Sequence, residues 1–432
     1  MIEGRIPGRA ARRTGIALGL MLSAFAGMAQ AEETFCVGMN GPLSGPSAGW
    51  ALPGLTGLNL IIDQVNAAGG IEADGKTYKV ELRQFDNEYT PSKALQGAKE
   101  LVLQHDCKQI FGIGGTTADA QAPFLTQAKV FYSPLIVSDI NPNRPYVLAG
   151  SDVNSRGEMI RPAYMRTAYP DKTRYAIIAQ EDPGAYTGQA WEVGAAKAVG
   201  FEMVYDSFYS AETTDFAPVI TAVLATNPDI VSLGLSWPDF IPLLMEQLYL
   251  QGFTGVVAAN YIEHDPILQR VPAEWLAQVR AIDSYQLFDD PWFGVPSAQH
   301  DFFREWDARY GENGSDNLGR PMNGIDWLYA PMLEVYLKGV EKAGTLDADK
   351  VLEAIRSFDH VQTIQGPARI TGEDLWGGKN MISPPVPTTA FDPECNCKRV
   401  VSVTDWDVWF ELLKDEIIAE VRDRGQMWDQ RQ

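Results

Sequence analysis

The strongest constraint on this chain is a strand–helix alternation that runs, stops and begins again. Over residues 34–137, "TFCVGMN" reads as a short apolar strand. Leu55, Leu58, Ile61, Ile62 and Val65 then recur at helical spacing up to the stop "NAAGG". "KTYKVELRQFD" alternates as a strand, and Ala94, Ala98, Leu101 and Val102 mark a helix. "KQIFGIG" is a buried strand, Phe124 to Ala128 belong to a helix, and "VFYSPLIV" is another strand. After "GSDVNSRGE" the rhythm restarts with strands at "RYAIIAQED", "EMVYDSFY", "DIVSLGLS" and "GVVAAN". Helical runs separate them: "GQAWEVGAAKAVG", "DFAPVITAVLATN" and "FIPLLMEQLYLQG". Strands alternating with helices predict parallel sheets covered on both faces. Two such units, in a chain of 432 residues, predict an α/β protein of two doubly wound, Rossmann-like lobes, since single cores stop growing near ~250–300 residues.

From Ile282 the rhythm breaks. "SYQLF" reads as a connecting strand, followed by helices around Phe302–Tyr310, Gly324–Lys342 and Ala348–Phe358. "TIQGPARITG" leads into a Pro/Gly-rich stretch ending at "SPPVPTTAFDPECNC", which predicts loop. "RVVSVTDW" is a last strand. Trp406, Trp409, Phe410, Leu413, Ile417 and Val421 then define a C-terminal amphipathic helix, expected to pack on its own lobe.

The first 31 residues read as a leader rather than as part of the fold. Arg5, Arg9, Arg12 and Arg13 precede an apolar run from Ile16 to Met28 and the A-x-A site Ala29-Gln30-Ala31. That order describes a cleaved secretory signal peptide, and hence an exported protein. No later run is long and apolar enough to span a membrane. The formal net charge of −21 repels phosphate backbones, so nucleic acid is not an expected partner.

Export permits disulfides. The four cysteines, Cys36, Cys107, Cys395 and Cys397, allow three pairings. If the strands beginning near Cys36 and Cys107 are parallel neighbours, their starts lie side by side and a bridge fits. Cys395 and Cys397 then pair locally or stay reduced. No histidine (His105, His264, His300, His360) lies near the Cys-x-Cys, so no metal site is expected. No cofactor is expected either.

In open α/β sheets ligands bind beyond the carboxyl ends of strands, and clefts between domains are preferred sites. The loops after strands are therefore the candidates. "GIGGTTADAQAP" at 112–123 is neither a Walker A loop, which needs Lys-Ser/Thr after the glycines, nor G-x-G-x-x-G, because Thr117 stands at the last glycine. What remains is a loop of backbone N–H groups and two hydroxyls, Thr116 and Thr117, suited to an anion. Thr116 to Asp119 also fits a capping box. Pro123 leaves two starts open for the following helix, Thr116 or the proline itself. "GPSAG" at 45–49 is a literal G-x-S-x-G. Its serine, Ser47, lies several residues past its strand instead of on a tight elbow. Trp50 offers an aromatic wall. In the second unit Glu181, Asp182 and Tyr186 follow one strand, Ser236 and Trp237 another, and Tyr261 and Glu263 a third.

Taken together, "GPLSGPSAGWALPGLTGLNLIIDQVNAAGGI", "DNEYTPSKALQGAKELV", the "GIGGTT" loop, "SP" in "VFYSPLIVSD", Tyr186 and "GP" in "TIQGPARI" resemble, in order, the periplasmic leucine/isoleucine/valine-binding proteins. The resemblance covers residues 34 to about 375. It implies a type I periplasmic binding protein: a monomeric, non-enzymatic, bilobed solute-binding protein that serves an inner-membrane ABC permease. Its lobes would be joined by a three-stranded hinge with crossings near Asp152, Ser284 and Thr371. Lobe 1 would be 32–151 with 285–370, and lobe 2 would be 152–284 with 371–432. The small-molecule ligand would be a carboxylate or amino-acid-like compound: a branched-chain amino acid, an aromatic acid or an amide. Thr116, Thr117 and Ser138 would hold its carboxylate. Trp50, Tyr186, Trp237 and Tyr261 would line the pocket, with Glu263 nearby. Two departures stand out. "SPLIVSD" is bulkier than the family's counterpart and carries Asp139, and Glu263 falls two positions past the slot that receives an ammonium group. The rival readings are a secreted serine hydrolase using Ser47 and a soluble ligand-sensing protein.

Overall fold

The computed structural model describes residues 33–45, 47–150, 156–284, 297–311, 322 and 324–431. The expected signal peptide, Pro46, the crossing at Asp152 and most of the "SYQLF" run lie outside the described residues. Among the described residues no helix is long and apolar enough to cross a membrane.

The first α/β unit contains β1 (Glu33–Gly41), α1 (Gly54–Ala67), β2 (Ile71–Ala73), β3 (Lys76–Asp86) and α2 (Pro91–Leu103). It continues with β4 (Cys107–Gly112), α3 (Thr116–Ala128) and β5 (Phe131–Pro134). Its sheet has the order β2-β3-β1-β4-β5. All pairs are parallel except the β2–β3 hairpin. The burial explains the apolar runs: Val37 and Met39 on β1 and Ile110 and Phe111 on β4 are fully enclosed. On α1, Leu58, Leu60, Ile61 and Ile62 are buried, each worth roughly 1.5–3 kcal/mol of transfer free energy.

After α4 (Arg156–Ala168) the second unit repeats the plan with β6 (Arg174–Gln180), α5 (Pro183–Ala198), β7 (Glu202–Tyr209) and α6 (Ala217–Leu224). β8 (Ile230–Ser232), α7 (Ile241–Leu250) and β9 (Val256–Ala258) complete the sheet, followed by α8 (His264–Leu268) and α9 (Ala273–Val279). The order is β7-β6-β8-β9, all parallel. Both sheets thus place the second parallel strand on one side of the first and the third on the other. The α/β fold with doubly wound parallel sheets agrees with the sequence expectation.

The chain then adds α10 (Ser297–Tyr310), α11 (Ile325–Leu328), α12 (Ala330–Ala343) and α13 (Ala348–Arg356). α11 and α12 pack on the first unit. At Gly57 of α1 a side chain would overlap the carbonyl of Asp326 on α11, so glycine permits the two backbones to touch. Thr56 beside it donates to the Asp326 carboxylate at 2.7 Å.

The Pro/Gly-rich stretch is not the loop its composition predicts. β10 (Val361–Thr363), β11 (Gly366–Thr371), α14 (Glu373–Trp376) and β12 (Met381–Ser383) come first. β13 (Val386–Asp392) then pairs with β14 (Cys397–Thr404) as a two-stranded ribbon. Pro387 is tolerated in β13 because a two-stranded ribbon leaves each strand one unpaired edge. β12 bridges Ala149, and β13 bridges Asp283 through Thr389. The C-terminal helix α15 (Trp406–Asp423) buries Trp406, Phe410, Ile417 and Val421. Trp191 of α5 lies edge-on to both Trp376 of α14 and Phe410 of α15, at 5.4 and 6.4 Å.

Two disulfides are present. Cys36 and Cys107 are register partners on β1 and β4, with Cα atoms 4.1 Å apart. Cys395 pairs with Cys397 across the ribbon's turn.

Candidate functional site

In each sheet the connections leave in opposite directions from two adjacent strands, β1 and β4 in the first and β6 and β8 in the second. A crevice opens beyond the carboxyl ends of such strands. The loops at these two crevices converge on one small cavity of about 30 Å³, room for about one water-sized group. Ser47 and Trp50 reach it from the loop after β1, Tyr89 from the loop after β3, and Ile113 from the loop after β4. Leu135 and Ile136 come from beyond β5. The second unit supplies Gln180, Asp182, Leu235 and Trp237.

These loops are held by side chains that replace missing backbone partners. Asp86 at the end of β3 accepts from Leu43 N–H at 2.9 Å and from the Ser44 hydroxyl at 2.5 Å, which ties the Trp50 loop to the Tyr89 loop. The buried amide of Asn40 donates to Ala94 O at 2.7 Å and to Gln121 at 2.8 Å. Tyr89 has φ 54°, a left-handed conformation rare for a bulky residue and tolerated where surroundings impose it. In the second unit the Gln180 side-chain oxygen accepts from Trp237 N–H at 2.8 Å, joining the loops after β6 and β8. Asp182 caps α5 by accepting from Gly184 N–H at 2.8 Å.

The expected residues divide. Trp50 and Trp237 line the cavity. Tyr261 lies next to it, its ring 5.9 Å from that of Trp50, and its hydroxyl donates to Glu263. Thr116 and Thr117 do not line it. Both belong to the first turn of α3, whose N-cap is Gly115 and carries no side-chain cap. The helix therefore starts at Thr116, Pro123 is inside it, and the capping box is not formed. Thr116 is exposed. Thr117 is buried and spends its hydroxyl on Gly114 O at 2.8 Å. Ser138 is buried in a short 3-10 turn, 137–139. Tyr186 is 38% exposed and packs edge-on against Phe208. Among the described residues no histidine lines the cavity beside Ser47.

Asp139, noted in the sequence only as a departure from the resemblance, sits on the glycine loop. Its carboxylate accepts from Gly115 N–H at 2.9 Å. A side chain at Gly114, where φ is +113°, would overlap this carboxylate. The glycines thus make room for a carboxylate of the chain itself. Burial pushes the Asp139 pKa up to about 7, opposed by the Arg144 guanidinium and the Gly115 N–H. Arg144 lies 4.0 Å from Asp139 and 2.6 Å from Asp119. Burial also raises the pKa of Asp182, against the N–H groups of Gly184 and Ala185. In the sequence, the bulk of "SPLIVSD" was the signal for Asp139, but nothing local paired it with a loop 24 residues away.

Comparison with known proteins agrees with this architecture. The chain is 24% identical over 370 residues to the leucine-, isoleucine-, valine-, threonine-, and alanine-binding protein of Pseudomonas aeruginosa, covering 83% of this chain and 90% of that one. The protein of the same description from Brucella ovis, in a closed conformation, has a TM-score of 0.71 at 16% identity, covering 87% and 96% of the two chains. A solute-binding protein of an ABC transporter from R. palustris, in complex with 4-hydroxybenzoate, has a TM-score of 0.66 at 17% identity, covering 86% and 97%. Residues 34–381 match the family model described as periplasmic binding protein. The match takes in both sheets and every loop that lines the cavity, and the chain belongs to the periplasmic binding protein family.

Proposed function

We propose that the chain is an exported, monomeric and non-enzymatic solute-binding protein that hands a small molecule to an inner-membrane ABC permease. The observation that carries the reading is the cavity lined by Trp50 of the first unit and Trp237 of the second. At about 30 Å³ it admits only a water-sized group, so a larger ligand enters when the two units part; held between them it touches both, and its binding favours the approach of one to the other. The Pseudomonas relative is named for aliphatic amino acids and the R. palustris neighbour holds an aromatic acid. Both support a partly apolar ligand, with a branched-chain amino acid, an aromatic acid or an amide as the starting range. Aromatic walls with few polar groups suit such a body.

In this reading the two units are lobes, and the chain crosses between them three times. The third crossing is put at the Pro384–Pro385 step instead of Thr371. β11, which carries Thr371, still pairs with β12, and β12 bridges Ala149, whereas β13 bridges Asp283. Residues 1–31 act as the export signal. The reading is tested by small-angle scattering of the mature protein with and without amino acids, aromatic acids, amides and amines. A ligand of the site reduces the radius of gyration, and Trp50→Ala abolishes the response. A radius unmoved by every compound would sink the proposal.

A further inference from the structure

The cavity has a charge character that the starting range of ligands does not share. The N-terminus of α3 is where the fold concentrates free N–H groups and a positive dipole end, the natural place for a ligand anion. Asp139 already occupies it through Gly115 N–H. A ligand carboxylate brought there would meet a carboxyl group instead of an open donor. Among the described residues no lysine or arginine lines the cavity. Its lining offers three aromatic side chains, Trp50, Tyr89 and Trp237, two neutral polar groups, Ser47 and Gln180, and one acid, Asp182.

Two arginines act on Asp139 and neither lines the cavity as described: Arg144, which also serves Asp119, and Arg431, whose guanidinium lies 5.5 Å from the Trp376 ring. Lys398 is buried in an ion pair with Asp283, with its ammonium 5.7 Å from the Tyr261 ring. Among the described residues Asp182 has no cationic partner; its carboxylate accepts from the N–H groups of Gly184 and Ala185 as the cap of α5. A carboxylate that shares a cavity lining with indole and phenol rings is an environment that favours a positive charge, through the ion pair and through cation–π attraction.

We infer that the ligand is a small organic cation, an amine or ammonium group on an apolar body without a carboxylate, its charge received by Asp182 and the rings of Trp50, Tyr89 and Trp237. The inference rests on reading this cavity as the ligand site. Titration calorimetry of the mature protein with benzylamine, benzamide, benzoate and L-leucine tests it. Benzylamine, charged at pH 7, is expected to bind at least tenfold more tightly than benzamide, with no measurable heat from benzoate or leucine. Asp182→Asn keeps an acceptor for the Gly184 N–H, so the cap survives; it is expected to weaken benzylamine at least tenfold and benzamide little. The wild-type ranking stands independently of how that variant folds. Benzoate, leucine or benzamide binding as tightly as benzylamine overturns the inference while leaving a solute-binding protein. Unchanged benzylamine affinity in a folded Asp182→Asn also overturns it. Heat from none of the four overturns the inference, and the solute-binding reading then rests on its own scattering test.

Discussion

The carboxylate of Asp139 accepts a 2.9 Å hydrogen bond from the backbone N–H of Gly115, at the start of α3. An acid of the chain therefore fills the position where the dipole of this helix would draw an external anion. The buried carboxyl holds its proton more tightly than in the unfolded chain, with a pKa near 7 against an ordinary value of 3.8. A raised carboxyl pKa means that the folded state binds more protons between those values. Its contribution to stability is complete below about pH 4 and is lost as pH rises through 7. Asp139→Asn removes this dependence. Chemical denaturation at pH 5 and pH 8 should show the variant gaining on wild type by on the order of 2 kcal/mol across that interval. A constant difference between the two proteins would refute it.

Replacing Asp139 by Ala empties the same position. The freed Gly115 N–H and the helix dipole should then give the protein a measurable affinity for benzoate, read by calorimetry. Benzoate binding that is the same in wild type and variant would show that Asp139 does not block the loop.

Trp50 and Trp237 approach the cavity from different sheets. Each supplies aromatic area that a bound ligand would cover, and truncation of such anchors costs about 2 kcal/mol or more at binding hot spots. Trp50→Ala and Trp237→Ala should each weaken the best ligand by at least tenfold, and Trp50→Ala, which removes a buried core side chain, should also lower the thermal midpoint. If either single variant binds at wild-type strength, that side chain is not part of the site.

The Cys36–Cys107 bridge closes a loop with a sequence separation of 71. Chain-entropy arguments assign such a cross-link about 4 kcal/mol, with measured values usually ~2–4. The Cys36→Ala/Cys107→Ala double variant should lose about that much in urea titrations. Removing Cys395–Cys397, which spans a separation of 2, should cost far less. Equal losses from the two bridges would contradict this ordering.

Arg161 and Glu192 form a fully buried ion pair at 2.8 Å, and Glu192 also accepts from the Tyr175 hydroxyl at 2.6 Å. Arg161→Met strands a carboxylate in the second unit, which typically costs ~3–5 kcal/mol. The Arg161→Met/Glu192→Gln double variant should recover part of that loss. A single variant as stable as wild type would show that the pair contributes nothing net.

Local periodicity wrote much of the architecture into the sequence. Helix and strand spacing located most elements of both units, because the burial that fixes β1, α1 or β6 repeats within each element. The Cys36–Cys107 bridge was readable as soon as the two strand starts were neighbours. The Pro-rich stretch was misread because composition carries no trace of pairing: β12 pairs with β11 and bridges Ala149, and β13 pairs with β14 and bridges Asp283. The aromatic walls were readable as residue types at strand ends, and Trp50 and Trp237 do meet the cavity.

The sequence by itself determined two doubly wound α/β units and loops rich in aromatic and hydroxyl groups, and it left the cysteine pairing conditional on which strands are neighbours. The tertiary structure alone decided which groups face one another. It turned Thr117 toward its own backbone and put Asp139 on the glycine loop. It also placed Asp182 in one cavity lining with Trp50 and Trp237. The last two outcomes join residues 24 to well over 100 positions apart, where close packing selects one partner among many and local sequence supplies no signal.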